Sequence, residues 1–598
     1  MHKEIIAVLD FGSQYAHLIA KRIRYLGVYT EIFSPSVDIA KLEHAKGVIL
    51  SGGPASVFAE NIPAFNPEIL SMKLPLLGLC YGHQLIGQQF GGTISNTGKG
   101  EFGKTQLELA GESPILAGVP HSSQVWMSHQ DSVTIVPADF RVIARTVQCP
   151  VAGMQHKALP IFTFQFHPEV KDSVWGTAIL NNFINICKIQ GNWSMQQFVD
   201  EALVEIRRIV KDRQVLMFLS GGVDSSVAFA LLNHALGHEK VLGLLIDNGF
   251  LRKNEAQKIM HRYHQCGFEN IRLSDSSEMF LKQIGKLVDP QEKRKSVGTT
   301  FIQIRDQFVQ KLGLEGANWL LGQGTLYPDI IESGGTEHSE VIKYHHNRVQ
   351  AVQDLIQQGL VIEPLKELYK DEVRQVGALL GLPEELVWRH PFPGPGLSIN
   401  VLCSTGNETL PSASAVEQLK AVVPDSFESG ILPVKSVGVQ GDQRTYTHPA
   451  VLIGPRDWDL LEQVSTTITN SLRAVNRVVT LLYPETLPDL KIHEAYCTSD
   501  RLDLLREADD LATQALKQAG LMREVFQLLV ILLPIASGNV GECIVLRPVC
   551  SEDVMTAQFA KIAWDVVLPL AHEIGKIAGI EAVFYDVTHK PPATFGWE

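Results

Sequence analysis

The chain has 598 residues, of which 45% are hydrophobic and 20% charged, values that exclude a disordered, collagen-like or coiled-coil protein. At roughly 150 residues per domain, the length predicts about four domains, each large enough to bury a core. The balance of 52 Lys+Arg against 65 Asp+Glu gives a net charge of −13. It argues against a nucleic-acid or membrane-surface binder, but not against an anionic small substrate held by a local cluster of donors. The most apolar run, Val525 to Ala536, carries Gln527 and Pro534 and is shorter than the ~20 residues a membrane span needs. No signal peptide is read at the N-terminus. The eight cysteines are scattered without a C-x-x-C, which fits a reducing compartment without structural zinc. The expectation is a cytoplasmic protein.

Residues 1–190 alternate apolar runs with helical stretches. IIAVLD (5–10), GVILSGGP (47–54), LPLLGLC (74–80) and IFTFQFHPEV (161–170) read as strands, and Tyr15–Leu26 as an amphipathic helix, an α/β pattern with a mostly parallel sheet. Cys80 sits in Gly78-Leu79-Cys80-Tyr81-Gly82. Glycines at i−2 and i+2 of a nucleophile between strand and helix permit a strained turn, and a helix N-terminus under the sulfur favours the thiolate. A buried cysteine in a tight turn fits that frame equally well. The second half of a site decides: Gln165-Phe166-His167-Pro168-Glu169 follows a strand, and strand alternation puts His167 and Glu169 on one side, as base and orienting carboxylate. Ser51-Gly52-Gly53-Pro54 is a glycine turn whose N–H groups could form an oxyanion hole. These three separated motifs resemble the class I glutamine amidotransferases. The resemblance implies that Cys80 attacks the side-chain amide of glutamine, His167 shuttles the proton and Glu169 orients His167, with Gly52, Gly53, Tyr81 and Gln84 at the oxyanion and glutamine-binding positions.

Gly98 to Thr105 satisfies the Walker spacing G-x4-G-K-[ST]. A phosphate loop needs a buried strand before it and a helix after it. Here a turn-rich stretch precedes and an alternating, strand-like stretch follows, so a surface hairpin is expected.

Val215 to Leu219 is a buried strand that runs into Ser220-Gly221-Gly222-Val223-Asp224-Ser225-Ser226 and an apolar helix. Strand, glycine loop and helix suit anion binding through backbone N–H groups and hydroxyls. The Walker lysine is missing, and Asp224 is placed to hold Mg2+. This string resembles the ATP loop of the pyrophosphatase-type ligases, which cleave ATP between the α- and β-phosphates, adenylate a carbonyl oxygen and let ammonia displace AMP. Asp247, at the end of the next strand, would then face the adenosine, although a plain turn acid explains it too. Further on stand Tyr327-Pro328-Asp329-Ile330-Ile331-Glu332-Ser333, Ile342-Lys343-Tyr344-His345-His346-Asn347 and the proline-rich Arg389 to Leu397. A metal pair at His345-His346 is discounted, because adjacent strand residues face opposite ways.

Together these strings resemble the glutamine-hydrolysing GMP synthetase family. The resemblance implies the reaction of XMP, ATP, glutamine and water to give GMP, AMP, pyrophosphate and glutamate. It makes the 327–347 stretch a lid, with Lys343 neutralising charge during adenylation, and Arg294 an XMP contact, although Arg294 also belongs to a basic run, Lys293-Arg294-Lys295. The chain departs from the family at Arg348-Val349-Gln350, where relatives carry a glycine-rich continuation.

From about residue 400 the composition loosens into a linker. Leu432 to Asp442 then recurs in outline as Leu533 to Cys543, each followed by a helical stretch and an apolar strand; a period of about 100 residues reads as two copies of one domain. The resemblance implies that XMP is gripped here, by Asp442, Gln527 and Lys590, with Arg547 as a second phosphate ligand or a surface salt bridge. Gly596 stands where relatives carry Glu. An internal pair of domains makes a monomer possible without excluding a dimer.

The sequence thus predicts an α/β chain with an amidotransferase at 1–190, a Rossmann-like ATP pyrophosphatase at 191–398, and two small α+β copies at 399–490 and 491–598. Its substrates would be XMP, ATP and glutamine, with Mg2+ accompanying ATP and no nucleic-acid or membrane partner. The competing readings are a catalytically silent nucleotide-binding regulator and, among enzymes, a ligase amidating another acceptor. The complete set of site residues disfavours the first and the XMP-type ending the second.

Overall fold

The computed structural model describes residues 4–12, 15–53, 63–311, 318–332, 355–388, 394–440, 443–538, 541–551 and 557–598. By compactness the chain divides into two units: residues 1–204 with 325–353 and 365–376, and residues 205–324 with 354–364 and 377–598.

The first unit holds a nine-stranded sheet of β1 (Ile5–Leu9), β2 (Thr30–Phe33), β3 (Ala45–Leu50), β4 (Leu76–Leu79), β5 (Thr93–Leu109), β6 (Ser122–Ile135), β7 (Phe140–Arg145), β8 (Gly153–His156) and β9 (Ile161–Phe164). The order is β2-β1-β3-β4-β9-β8-β7-β5-β6. β1 to β4 and β9 pair in parallel, and the other pairings are antiparallel. The parallel half is covered on both faces, so β1, β4 and β9 are buried at every position, which is why they read as unbroken apolar runs. Helix α1 (Tyr15–Tyr25) buries Ala16, Ile19, Ala20 and Ile23, one helical stripe. α2 (Tyr81–Gln89) and α3 (Gly176–Ile186) complete the frame.

Two local expectations resolve here. Residues 98–105 lie within β5 and are followed by more of the same strand, which pairs with β6, so the Walker-like string is half of a hairpin. β9 stops at Phe164, so strand alternation does not align His167 with Glu169. A turn does so: His167 N donates to Trp126 O and Val170 N to His167 O.

The second unit holds five parallel strands, β10 (Gln214–Leu219), β11 (Val241–Asp247), β12 (Ile271–Asp275), β13 (Trp319–Gly322) and β14 (Val361–Ile362), ordered β12-β11-β10-β13-β14. The order reverses between β10 and β13, the position at which such sheets bind nucleotides beyond their carboxyl ends.

The same unit carries a larger mixed sheet. Its main path runs Glu428–Ile431, Gln443–Ile453, Val475–Tyr483, Ile580–Asp586, Glu542–Cys550, Gln527–Leu533. On each flank the outer pair is antiparallel and the next pair parallel, and the two flanks meet in an antiparallel pair at Val479↔Asp586. A parallel pair needs a crossover, supplied by helix Trp458–Ser471 on one flank and Trp564–Gly575 on the other. Helices Ala413–Val422 and Ser499–Gln518 precede the two flanks. The sheet is buried on both faces: Val530 and Leu532 enter one hydrophobic cluster, while Leu529 and Ile531 enter another that contains Trp597. Among the described residues no helix is long and apolar enough to cross a membrane.

Candidate active site

Cys80 closes β4 and caps α2 with φ 51 and ψ −101, a conformation non-glycine residues adopt at a cost and keep where the surroundings enforce it. The flanking glycines are steric requirements. A Cβ on Gly78 would lie 2.6 Å from Gly82 O, and one on Gly82 would lie 2.5 Å from Leu50 O. The elbow is thus pressed onto its own first helical turn and onto the end of β3. The glycine turn after β3 sits against it, because Gly82 N donates to Ser51 O at 3.2 Å. Gly53 has room for no side chain, since its Cβ would meet Phe11 O at 2.9 Å. The turn that carries Gly52 and Gly53 is thus tied through Ser51 to the first turn of α2.

His167 Nδ1 and Glu169 Oε1 are 2.7 Å apart, and both side chains are buried. Burial pulls the imidazole towards neutrality, but the charges of Glu169 and Cys80 and hydrogen bonds to both outweigh it and hold His167 well above the ordinary imidazole range. The pair is fixed from several sides: the Tyr15 ring lies 4.3 Å from the His167 ring, Ser173 Oγ donates to His167 O at 2.6 Å, and Arg22 Nε donates to Glu169 O at 3.0 Å. A protonated imidazole beside the sulfur stabilises a thiolate, which is what nucleophilic attack on an amide needs.

The side chains of two residues expected at the oxyanion and glutamine-binding positions are buried. The Tyr81 ring is buried 5.0 Å from Phe11, so Tyr81 offers this site its backbone at the helix start. Gln84 is buried, and its Nε2 donates to Asp131 O at 2.7 Å and to Gln165 Oε1 at 3.2 Å, behind the nucleophile.

In the second unit, β10 leads through Ser220 and Gly221 (φ 68) to Gly222, which caps helix Val223–Leu236. The loop is braced from within. Gly222 N donates to Ser220 Oγ at 3.2 Å, Ser225 Oγ lies 3.1 Å from Ser220 Oγ, and Ser226 Oγ donates to Gly222 O at 2.8 Å. Ser226 is buried and also meets Tyr263 OH at 2.7 Å, so it shapes the loop rather than facing a ligand. Gly324, just beyond β13, packs closely on Asp224 and Ser225: a Cβ there would lie 3.1 Å from Asp224 C, tighter than an ordinary contact. The loop thus sits at the switch point between β10 and β13. Asp224 stands in the first turn of that helix, and its carboxylate is a hard-oxygen ligand of the kind that fits Mg2+ carried by phosphates. Asp247 Oδ1 accepts from Gly249 N at 2.9 Å, which makes it the acid of its own turn as well as a residue at the carboxyl edge.

Arg294 NH2 donates to Glu598 O at 2.6 Å. Burial lowers its pKa, Glu598 opposes this, and Arg444 lowers it further. Arg444 is therefore near enough to add its charge to the same place. The sequence reading did not single out Arg444, which stands two positions after Asp442. Lys590 lies over the Phe595 ring at 4.5 Å, and Gln527 opens strand Gln527–Leu533. Arg547, expected as a phosphate ligand or surface salt bridge, is neither. It is fully buried, pairs with Asp586 Oδ1 at 2.8 Å and donates to Thr588 O and Phe595 O, so it anchors the C-terminal tail. Arg477 takes the other Asp586 oxygen, also at 2.8 Å. Lys343 and Asp442 lie outside the described residues.

Comparison with known proteins covers each part. Residues 7–187 match the class-I glutamine amidotransferase family, 195–296 the NAD synthase family, and 514–597 the GMP synthase C terminal domain. Over 609 aligned positions and the whole of both chains, the protein is 45% identical to "Probable GMP synthase (glutamine-hydrolyzing)" of Leptospira interrogans and 36% identical to a GMP synthase of Syntrophomonas wolfei. A GMP synthase of Thermosynechococcus vestitus is 42% identical over 514 positions, which cover 80% of this chain and 94% of that one. The chain belongs to the glutamine-hydrolysing GMP synthase family.

Proposed function

We propose that the chain aminates XMP to GMP at the expense of ATP, with ammonia drawn from glutamine in its N-terminal part. The observation that carries this is one chain holding both a buried Cys80–His167–Glu169 triad at a strained elbow and a braced S-G-G-V-D-S-S loop at a sheet switch point. The Cys80 thiolate attacks the carboxamide carbon of glutamine, and His167 passes its proton to the departing nitrogen, releasing ammonia. Water then cleaves the thioester to glutamate and restores the thiolate. At the second site, Ser220 to Ser225 and the helix N-terminus receive the ATP phosphates, and Mg2+ on Asp224 would neutralise the pyrophosphate leaving group. A carbonyl oxygen of XMP displaces pyrophosphate from the α-phosphorus, and ammonia then displaces AMP. Lys343 counters charge in the first step, Asp247 faces the adenosine, and Arg294, Arg444, Asp442, Gln527 and Lys590 hold XMP.

The repeated order of helix, two strands of the main sheet path, crossover helix and a further strand of that path supports a second proposal: residues 399–490 and 491–598 are two copies paired within one chain, which lets it work as a monomer. Light scattering that finds an obligate dimer at sub-micromolar concentration, without ligand, would overturn this.

The function itself is tested by adding XMP, ATP and glutamine and measuring AMP, pyrophosphate and GMP, with IMP in place of XMP as the control. Equal AMP release with IMP, or none with XMP, rules the assignment out.

A further inference from the structure

The catalytic sulfur has neighbours that the triad does not explain. Cys80 Sγ lies 3.6 Å from Ser128 O, a carbonyl that accepts from the thiol but repels a thiolate. On another side Gln165 Nε2 points at the sulfur from 3.7 Å. Gln165 is fully buried, and its amide orientation is set: Gln84 Nε2 donates to Gln165 Oε1 at 3.2 Å, which leaves the Gln165 N–H groups facing Cys80. Gln84 is itself anchored, because the same nitrogen donates to Asp131 O at 2.7 Å. That carbonyl also lies 3.0 Å from His129 Nδ1. Since a carbonyl only accepts, it fixes a proton on Nδ1. His129 Nε2 then faces Glu101 Oε2 at 3.4 Å, and both Glu101 oxygens accept from Thr146 Oγ1, at 2.8 and 2.9 Å. Glu101, His129, Asp131, Gln84 and Gln165 are all buried. Glu101 comes from the Walker-like stretch of β5, which the phosphate chemistry leaves unused.

We infer that Gln165 is a positioning residue that stabilises the Cys80 thiolate by donating a hydrogen bond to Sγ, and that the buried line Glu101–His129–Asp131 O–Gln84 exists to hold its amide in the donating orientation. A hydrogen bond to an ionised partner is about twice as strong as a neutral one, and it adds to what protonated His167 contributes to the same sulfur. The inference rests on the amidotransferase reading of Cys80 and adds to it the residue that offsets the Ser128 carbonyl.

The test compares wild type with Gln165→Glu, which keeps the shape and the bond from Gln84 but presents an acceptor to the sulfur, and with Gln165→Met, which presents no polar atom. Alkylation of Cys80 by iodoacetamide is followed by mass spectrometry of its peptide across pH. Both variants should alkylate about tenfold more slowly at neutral pH, the worth of one charge-assisted hydrogen bond. The gap should close in alkaline solution, where the thiolate forms without help; a merely displaced cysteine would stay slow at every pH. Ammonia-dependent GMP formation, which uses the other site, reports whether each variant folds. Wild-type alkylation profiles in either folded variant overturn the inference. Wild type without glutaminase activity would instead overturn the amidotransferase reading, so the two failures are distinguishable.

Discussion

Lys293 Nζ lies 2.5 Å from Glu598 Oε2, with both side chains shut away from solvent. Burial works against the lysine charge, but Glu598 keeps its pKa above the ordinary value. Lys293 also donates to Val401 O at 2.9 Å, so one cation ties together the helix that carries Arg294, the start of the C-terminal region and its tail. Glu598→Ala should therefore leave a buried charge without its counter-ion and cost about 3 kcal/mol or more. Replacing both partners, Lys293→Met with Glu598→Leu, should be close to neutral. Urea unfolding of the three proteins checks this, and equal losses for the single and double variants would show that the pair is not coupled.

The separation of the two chemistries gives a second expectation. Cys80→Ala should lose glutamine-dependent GMP formation by at least about a thousandfold, the usual worth of a nucleophile, while synthesis from added ammonia stays near wild type. Loss of both activities would show that the elbow supports more than ammonia release.

His83 gives a pH dependence. It is fully buried, and burial, with His129 nearby, lowers its pKa from 6.5 to about 3. Between those values the unfolded chain binds a proton that the folded one refuses. The stability from neutral His83 is thus fully present above pH 6.5 and is lost as the pH falls towards 3, by about 1.4 kcal/mol per unit. His83→Asn should flatten that part of the curve. Unfolding midpoints at pH 7, 6 and 5 decide the matter, since parallel curves would assign the acid sensitivity to other groups.

Gly596 separates a steric from a chemical question. A Cβ there meets only Glu598 O, at 3.6 Å, so Gly596→Glu should fold as well as wild type. If the carboxylate reaches the base of XMP, KM for XMP should fall several-fold with kcat little changed. An unchanged KM would remove that contact from the site.

The elbow was legible in the sequence because its demands are local: Gly78, Cys80 and Gly82 crowd one another across a single turn. The S-G-G-V-D-S-S loop was legible for the same reason, a strand, a braced turn and a helix being contiguous. What escaped was set by contacts distant in the chain. His167 and Glu169 were expected to align by strand alternation, yet the strand ends earlier and the turn after it is pinned by Trp126. Arg547 was expected as a phosphate ligand or a surface salt bridge because nothing near it in sequence shows its pairing with Asp586. Gln84 belonged to a recognisable motif, but its partners Asp131 and Gln165 lie on other elements, so its place behind the sulfur could not be read from spacing.

Asp586 sits between Arg477, from the strand that closes the first flank of the large sheet, and Arg547, from the second. Each flank thus holds part of the other's charge balance, and the central strand pair leaves each with a bare edge if they part. A nick in the chain between the flanks should leave the pieces bound to one another through a purification, whereas the C-terminal flank expressed alone should be insoluble. Anyone dividing this protein for expression should cut ahead of both flanks, not between them.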